Sequence, residues 1–199
     1  MINLYLVRHG QSEANAQAIL QGSQIDTPLT PLGRQQAQIT REKLLPLTFD
    51  HTYSSPLLRA GETASIITAG QQPITFDPRL REFDYGIWDG YKLNSLSQKY
   101  SEYFNDMNRF IAEASNIHQG DTYAGIQEQL RSFMDELFTR YQAQDSNILV
   151  VSHGMTIKLW VSFLMGVTNH DILMEPANAG ITRLRLDDPH HIYLDYYSK

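Results

Sequence analysis

Apolar positions along the chain fall into short continuous runs separated by longer amphipathic stretches. Ile2–Val7 is nearly unbroken, the pattern of a strand buried on both faces. Residues 10–31 are polar and rich in Gly, Gln, Asn and Asp, which predicts a long loop with room for one helical turn. Pro31 opens a helix that runs to about Leu45 and is stopped by Pro46. His51–Ser54 is a second strand, and Pro56 starts a helix that runs to about Ala69 and ends at Gly70. Ile74–Phe76 makes a third strand. Residues 77–122 are aromatic and mixed in charge, with helical stretches near 94–112. Tyr123–Tyr141 is a long helix in which Ile126, Leu130, Phe133, Met134, Leu137 and Phe138 form one apolar stripe. Ile148–Val151 is the most apolar strand, followed by a helix from about Met155 to Met165. Ile181–Leu186 and Ile192–Tyr196 close the chain as a hairpin around Asp187–His190.

Strands alternating with helices imply an α/β fold, a three-layer α/β/α sandwich around a mostly parallel central sheet. No composition shift marks a boundary, so residues 1–199 are read as a single domain. No internal repeat or low-complexity tract interrupts it.

With 199 residues, 42% of them hydrophobic, the chain can bury a substantial core. Its formal charge of -6 argues against a surface that coats nucleic acid or anionic membrane. An anionic ligand must then be drawn in by a local basic cluster. The chain has no cysteine, which excludes disulfides, thiolate catalysis and cysteine zinc sites. The first residues read as a strand instead of a signal peptide, and no apolar run is long enough to cross a bilayer. The expected location is therefore the cytoplasm. The sequence carries no signal for an oligomeric state.

In open α/β sheets the ligand crevice lies at the carboxyl ends of the strands. Three such ends carry unusual residues here: Arg8-His9-Gly10, Ser152-His153-Gly154, and Tyr53-Ser54-Ser55-Pro56 leading to Arg59. Side by side, they would put two imidazoles and two guanidiniums in one pocket. Each glycine lets backbone N–H groups approach a ligand, and guanidinium forks match phosphate oxygens in pairs. An acidic protein that gathers positive charge in one crevice is built to bind an anion.

A lone histidine is ordinarily structural or on the surface, and His51, His118, His170, His190 and His191 are read that way. A metal site is not expected: Arg8 and Arg59 would repel a divalent cation, and no third ligand stands at a recognisable spacing. A neutral imidazole facing a phosphate can attack phosphorus in line and form a phosphohistidine, with arginines spreading the transferring charge. The leaving alkoxide then needs a proton. The stretch Leu80–Gly90 interleaves carboxyls with aromatics, and apolar walls raise a carboxyl pKa. Glu82, Asp84 and Asp89 are all candidates on these grounds.

These residues resemble the histidine phosphatase superfamily, also called phosphoglycerate mutase-like. Leu6–Asn15 is similar to the signature around the family's nucleophile. Gln21-Gly22, Asp26, Pro28-Leu29-Thr30, Leu32-Gly33 and Gln36-Ala37 resemble the segment that follows in its phosphatase members. Ser54–Ala60 with Glu62-Thr63-Ala64 resembles the second arginine motif. Leu80-Arg81-Glu82 through Trp88-Asp89-Gly90 resembles the acid segment, and Val150–Gly154 the second histidine. Five blocks in family order span roughly residues 2–185, which is far more specific than Arg-His-Gly alone.

The resemblance implies His9 as nucleophile, Arg8, Arg59 and His153 as phosphoryl ligands, and Glu82 as proton donor. Asn15, Gln21, Gly22, Ser12 and Gly154 fall at positions near the phosphate or the substrate entrance. Ser12 stands where many members have threonine, and Asp121 where glutamate is usual. The resemblance also implies a small helical lid insertion at about 91–122, no cofactor and no metal.

Mutases of this family carry a longer lid rich in Arg and Lys. Here residues 91–122 offer only Lys92, Lys99 and Arg109, among Tyr91, Tyr100, Tyr103, Phe104, Met107 and Phe110. Such aromatic stripes more often pack as core than bind ligand. A sparse positive lid favours hydrolysis of small phosphorylated metabolites over intramolecular transfer. The expected protein is a metal-independent phosphatase of small phosphate monoesters. The alternatives are a cofactor-dependent phosphoglycerate mutase, and a protein phosphatase or regulatory binding module on the same fold.

Overall fold

Parallel pairing around one central strand sets the architecture. The computed structural model describes residues 1–141 and 144–199. Among these residues the sheet has six strands: β1 (Ile2–Arg8), β2 (His51–Ser54), β3 (Ile74–Phe76), β4 (Ser146–Ser152), β5 (Ile181–Asp188) and β6 (His191–Tyr196). Their order is β3-β2-β4-β1-β5-β6. The first four in that order run parallel, and β5 and β6 add an antiparallel hairpin at the β1 edge. The expected mostly parallel sheet and closing hairpin are both present.

The helices are α1 (Glu13–Ala16), α2 (Pro31–Leu44), α3 (Leu58–Thr68), α4 (Leu93–Lys99), α5 (Ser115–His118), α6 (Tyr123–Tyr141) and α7 (Gly154–Leu164). Alternate residues of the inner strands face opposite layers, as strand geometry requires. Leu4, Leu6, Ile148 and Val150 pack with Leu130, Phe133 and Leu137 of α6 and Ile157 and Trp160 of α7. Tyr5, Val7, Leu149 and Val151 pack instead with Leu44 of α2 and Ala60, Ala64 and Ile67 of α3. Burying each large aliphatic side chain contributes about 1.5–3 kcal/mol, so the two cores clamp the sheet between helices.

Local sequence explains most helix ends. The Thr30 side chain accepts from Gly33 N–H at 3.0 Å and Pro31 fills the first helical position, which starts α2. Pro56 lies two residues before α3, so it shapes the approach turn instead of opening the helix as the sequence suggests. The first turn of α3 is capped from another loop: Leu58 N–H donates to both oxygens of Asp26 at 3.0 Å.

The 94–112 segment is less helical than its pattern predicts, since α4 ends at Lys99. Asn105 Oδ1 accepts from the N–H groups of Met107 and Arg109, and Asn108 takes a positive φ of 56°. Those two asparagines make a turn that a continuous helix cannot contain. The aromatics beside it are core: Tyr100 and Phe104 lie on Trp88, and Phe110 meets Tyr85 edge-on.

Register fixes the site. Arg8 pairs with Ser152 and Ser54 with Val151, so the chain leaves β1, β4 and β2 side by side. His9 N–H donates to Ser152 O, and Ser55 N–H to Val151 O. His9, His153 and Ser55 therefore emerge at one edge of the sheet.

Candidate active site

His9 is the first residue beyond β1 and is buried. Its Nδ1 lies 2.6 Å from Gly10 O. A carbonyl only accepts, so Nδ1 carries the proton and Nε2 keeps its lone pair. The chain can turn this tightly because Gly10 lies against α2: a Cβ there would stand 2.3 Å from Gly33 O. Burial, and then the charges of Arg59 and Arg8, hold the His9 pKa well below its ordinary 6.5. The ring is neutral.

His153 is the first residue beyond β4, with its ring centroid 5.1 Å from that of His9. Its Nε2 shares a 2.7 Å hydrogen bond with Ser55 Oγ. Its Nδ1 is buried and has no partner among the described residues. Burial, then Arg59, His9 and Arg8, keep it neutral too.

Arg59 carries the site's most deeply buried charge, with a side chain 0% exposed. Every branch of the guanidinium is held. Nε donates to His9 Nε2 at 3.3 Å, one terminal nitrogen to Gly22 O at 3.0 Å, and the other to Ile25 O at 3.2 Å. Asp26 lies 3.5 Å away. The loop carrying those carbonyls is tied down in turn, because the Asp89 carboxylate accepts from Gly22 N–H at 2.6 Å and Gln24 N–H at 2.9 Å.

Arg8 is placed by a strap of chain, residues 174–179, that crosses the strand ends. It donates to Pro176 O at 2.7 Å and pairs with Glu175 at 3.3 Å. Its Nε has no partner among the described residues. Gly154 makes room for this pair, since a Cβ there would stand 2.2 Å from the Glu175 carboxylate and 2.9 Å from the Arg8 guanidinium carbon. Asn178 Nδ2 donates to His9 O and to Asn15 Oδ1. The strap is fastened by the last residues: Tyr197 Oη donates to Met174 O, and Ala177 N–H donates to Ser198 Oγ.

Glu82 is buried at the N-terminus of α7. Its Oε1 accepts from Phe83 N–H at 2.9 Å and Thr156 N–H at 3.1 Å, with the Thr156 hydroxyl also at 3.1 Å. Oε2 has one longer contact, 3.3 Å from Met155 N–H. Burial, and then the Glu175 charge, raise the Glu82 pKa above its ordinary 4.5, against the Phe83 hydrogen bond and the two arginines. The protonated form is thereby favoured relative to a free carboxyl.

Arg8, His9, Asn15, Gln21, Glu82, Tyr85, Leu93, Arg109, Glu175 and Asn178 line one open cavity of about 570 Å³. Arg59 and His153 adjoin that lining through His9, Arg59 by its Nε hydrogen bond and His153 by ring contact. Ser12, Gly22 and Gly154 stand behind the wall: Ser12 caps α1 and donates to Gln21 Oε1, while Gly22 clasps Arg59. The other acid candidates, Asp84 and Asp89, are clamps, Asp89 through the Gly22 and Gln24 N–H groups. Asp84 accepts from Gly86 N–H and Gln24 Nε2, and Asp121 from Asp84 N–H. Among the described residues no group of three His, Asp or Glu could hold a metal ion.

Glu175, Asn178 and Thr156 escaped the sequence reading, and Ser55 entered it as part of a strand-end motif without a role of its own. Pro176-Ala177-Asn178, a turn-forming run just before β5, the strand paired with β1, was the available signal for the first two.

A protein-family model for the histidine phosphatase superfamily (branch 1) matches residues 4–197. The chain belongs to this superfamily. It is 33% identical over 192 residues to a putative phosphoserine phosphatase 2 of Hydrogenobacter thermophilus, covering 94% of this chain and 91% of that one. It is 35% identical over 187 residues to a probable phosphoglycerate mutase GpmB of Erwinia tasmaniensis, covering 94% and 81%. A mycobacterial glucosyl-3-phosphoglycerate phosphatase, solved with VO3, superposes with a TM-score of 0.84 at 27% identity over 98% of this chain and 97% of that one. The five histidine phosphatase blocks read from the sequence all lie within or at the edge of the matched span.

Proposed function

We propose that this protein is a metal-independent phosphatase that hydrolyses small phosphate monoesters through a phosphohistidine at His9. One observation carries the reading: His9 Nδ1 donates to Gly10 O, which leaves Nε2 unprotonated, its lone pair accepting from the buried Arg59 guanidinium until a phosphate oxygen takes that donor over.

In this reading the phosphate oxygens take the open donors, Arg8 Nε and His153 Nδ1, together with the Arg59 guanidinium. Nε2 attacks phosphorus in line while the ester P–O bond breaks. The departing alkoxide takes the proton of Glu82, from the loosely held Oε2 side. Glu82, now ionised, accepts a proton from water, and the hydroxide attacks the phosphohistidine. Phosphate leaves, with His9 neutral and Glu82 protonated again.

Hydrolysis is favoured over mutase chemistry by the lid. Of Lys92, Lys99 and Arg109, Arg109 is the one that lines the cavity, while Lys99 lies over the Tyr100 ring. The phosphatase names among the relatives support the same choice. No helix among the described residues is long and apolar enough to cross a membrane. A small phosphorylated metabolite as substrate and a cytoplasmic location belong to this reading, the latter open to a fractionation assay.

Rapid quenching during turnover of a 32P-labelled ester tests it. An acid-labile label on the peptide containing His9 is expected, with phosphoglycerate mutase activity measured in parallel. Absence of the label under burst conditions, or mutase turnover exceeding hydrolysis, overturns it.

A further inference from the structure

The two buried imidazoles meet the protein through opposite nitrogens. In His9 the Nδ1 proton goes to Gly10 O and the lone pair sits on Nε2. In His153 it is Nε2 that meets the protein, 2.7 Å from Ser55 Oγ, while Nδ1 is buried without a partner among the described residues. Ser55 and His153 are both 0% exposed, so solvent does not compete for that bond. His153 also stands at the start of α7 without capping it through its side chain. Among the described residues Ser55 is therefore the ring's hydrogen-bond partner.

Counting protons fixes who donates. Burial and the nearby arginines keep the His153 ring neutral, so its one N–H proton sits on either Nε2 or Nδ1. Ser55 has one hydroxyl proton to give, and its Oγ already accepts from Leu57 N–H at 3.3 Å. Among the described residues the acceptor within reach of that proton is His153 Nε2. A proton on Nε2 would strand the Ser55 O–H without an acceptor and leave Nδ1 as a bare buried lone pair. With the proton on Nδ1, the serine is satisfied and a single buried donor stays open for an anion. The serine is itself anchored. Its N–H donates to Val151 O at 2.9 Å, its carbonyl accepts from Ser54 Oγ at 2.9 Å, and Pro56 stiffens the turn that follows. The register that sets Ser54 against Val151 thus also sets the hydroxyl beside the end of β4.

We propose that Ser55 is a positioning residue for phosphoryl transfer, its hydroxyl donating to His153 Nε2 and locking the tautomer whose Nδ1–H binds the transferring phosphoryl group. The inference rests on the phosphatase reading above, in which that nitrogen is an open donor. The lock has a second effect. With Nδ1 protonated and Nε2 occupied, His153 has no free lone pair and cannot compete with His9 for phosphorus. One hydrogen bond each thus divides two neighbouring imidazoles into a nucleophile and a donor, Gly10 O setting the first and Ser55 the second. Ser55 touches neither phosphorus nor the leaving group; it acts through His153.

Imidazole 15N spectra recorded with inorganic phosphate read the tautomer directly, because protonated and bare ring nitrogens resonate far apart. The His153 signals are those lost in His153→Asn. Wild type should carry the proton on Nδ1, and Ser55→Ala should show a mixture or the Nε2–H form. In Ser55→Ala kcat should fall by about 10–100-fold, less than the loss of a whole donor costs at its worst. The fall should be equal for alkyl and nitrophenyl phosphates, since the donor serves the phosphoryl group and not the leaving group. Ser55→Thr, which keeps a hydroxyl, should recover the Nδ1–H tautomer and most of the rate. In a His153→Asn background Ser55→Ala should cost less than about twofold more, because the path through the imidazole is already cut. A wild-type proton on Nε2, an unchanged tautomer in Ser55→Ala, or losses that multiply in the double variant overturns the inference. The wild-type spectrum decides this even where a variant fails to fold. With turnover and a phosphohistidine at His9 in hand, any of these outcomes sinks the role of Ser55 alone. No turnover of any ester and no trapped phosphohistidine sinks the phosphatase reading, and this one with it.

Discussion

The side chain of Arg59 donates from Nε to His9 Nε2 across 3.3 Å, while Gly22 O and Ile25 O hold its other nitrogens. In the proposed reaction the charge that meets the transferring phosphoryl group is thus already beside the attacking atom. When substrate arrives a phosphate oxygen has to take over the Nε donor, while Gly22 O and Ile25 O keep the guanidinium in place, which is the preorganisation that makes electrostatic stabilisation large.

His9→Ala removes the attacking nitrogen and leaves the strand pairing intact. Turnover should fall by at least about 10³-fold with native circular dichroism. Substantial residual activity in a clean preparation would remove His9 from its role.

Glu82→Gln keeps the shape of the carboxyl but cannot deliver its proton. Alkyl phosphates should lose about 10²–10⁴-fold in kcat, and nitrophenyl phosphate, whose leaving group needs little protonation, far less. Equal losses on both would point to another acid, with Asp84 the nearest alternative in sequence.

Activity should be bell-shaped in pH. His9 must be neutral, and its pKa lies below 6.5, so the acid limb begins below that value. Glu82 must be protonated, and its pKa lies above 4.5, so activity falls as pH rises through that raised value. In kcat/KM against pH for an alkyl phosphate, Glu82→Gln should erase the alkaline limb; its persistence would reassign the acid. Stability has its own pH signs. Both imidazoles have folded pKa values below 6.5, so the unfolded chain takes up protons first and stability drains as pH falls from 6.5. Glu82, with its folded pKa raised, acts in the opposite sense, contributing stability at low pH that is lost as pH rises through that value. Denaturant unfolding of wild type and His153→Asn at two pH values checks the imidazole part, the variant being less acid-sensitive.

Asp89→Asn takes one acceptor from the loop that clasps Arg59. An N–H of Gly22 or Gln24 is left without its carboxylate, at about 1–2 kcal/mol, which lowers Tm by roughly 2–8 °C for a chain of this size. The kcat/KM for every ester should fall by a similar factor, because the loosened group is Arg59 and not a substrate contact. A lowered Tm with full activity well below it would confine Asp89 to the fold.

Two arginines at the floor supply the charge that a divalent ion would otherwise bring. Hydrolysis should therefore survive EDTA undiminished. Complete inactivation reversed by added zinc would overturn the metal-free mechanism.

His9, His153 and Arg59 were legible because they sit where strands end, and Val7 and Val151 advertise those strands by their apolar neighbours. Glu82 was not separable from Asp84 and Asp89 on residue chemistry alone. All three are carboxyls among aromatics, and only the fold shows that Glu82 enters the cavity while the other two tie loops together. Pro56 misled by a simple local rule, because Asp26 caps α3 from thirty-two positions away in sequence. Glu175 and Asn178 were invisible for a different reason. They lie in irregular chain, where no periodicity marks a face, and their importance comes from what the tail presses them against.

That arrangement separates the reactive floor from the outer wall. Met174 and Ala177 are fastened by Tyr197 and Ser198, so the wall's shape depends on residues that never approach phosphorus. Directed evolution toward a different ester should accumulate changes at 174–178 and 197–198 first, leaving His9, Arg59 and His153 untouched while the clientele of the enzyme changes.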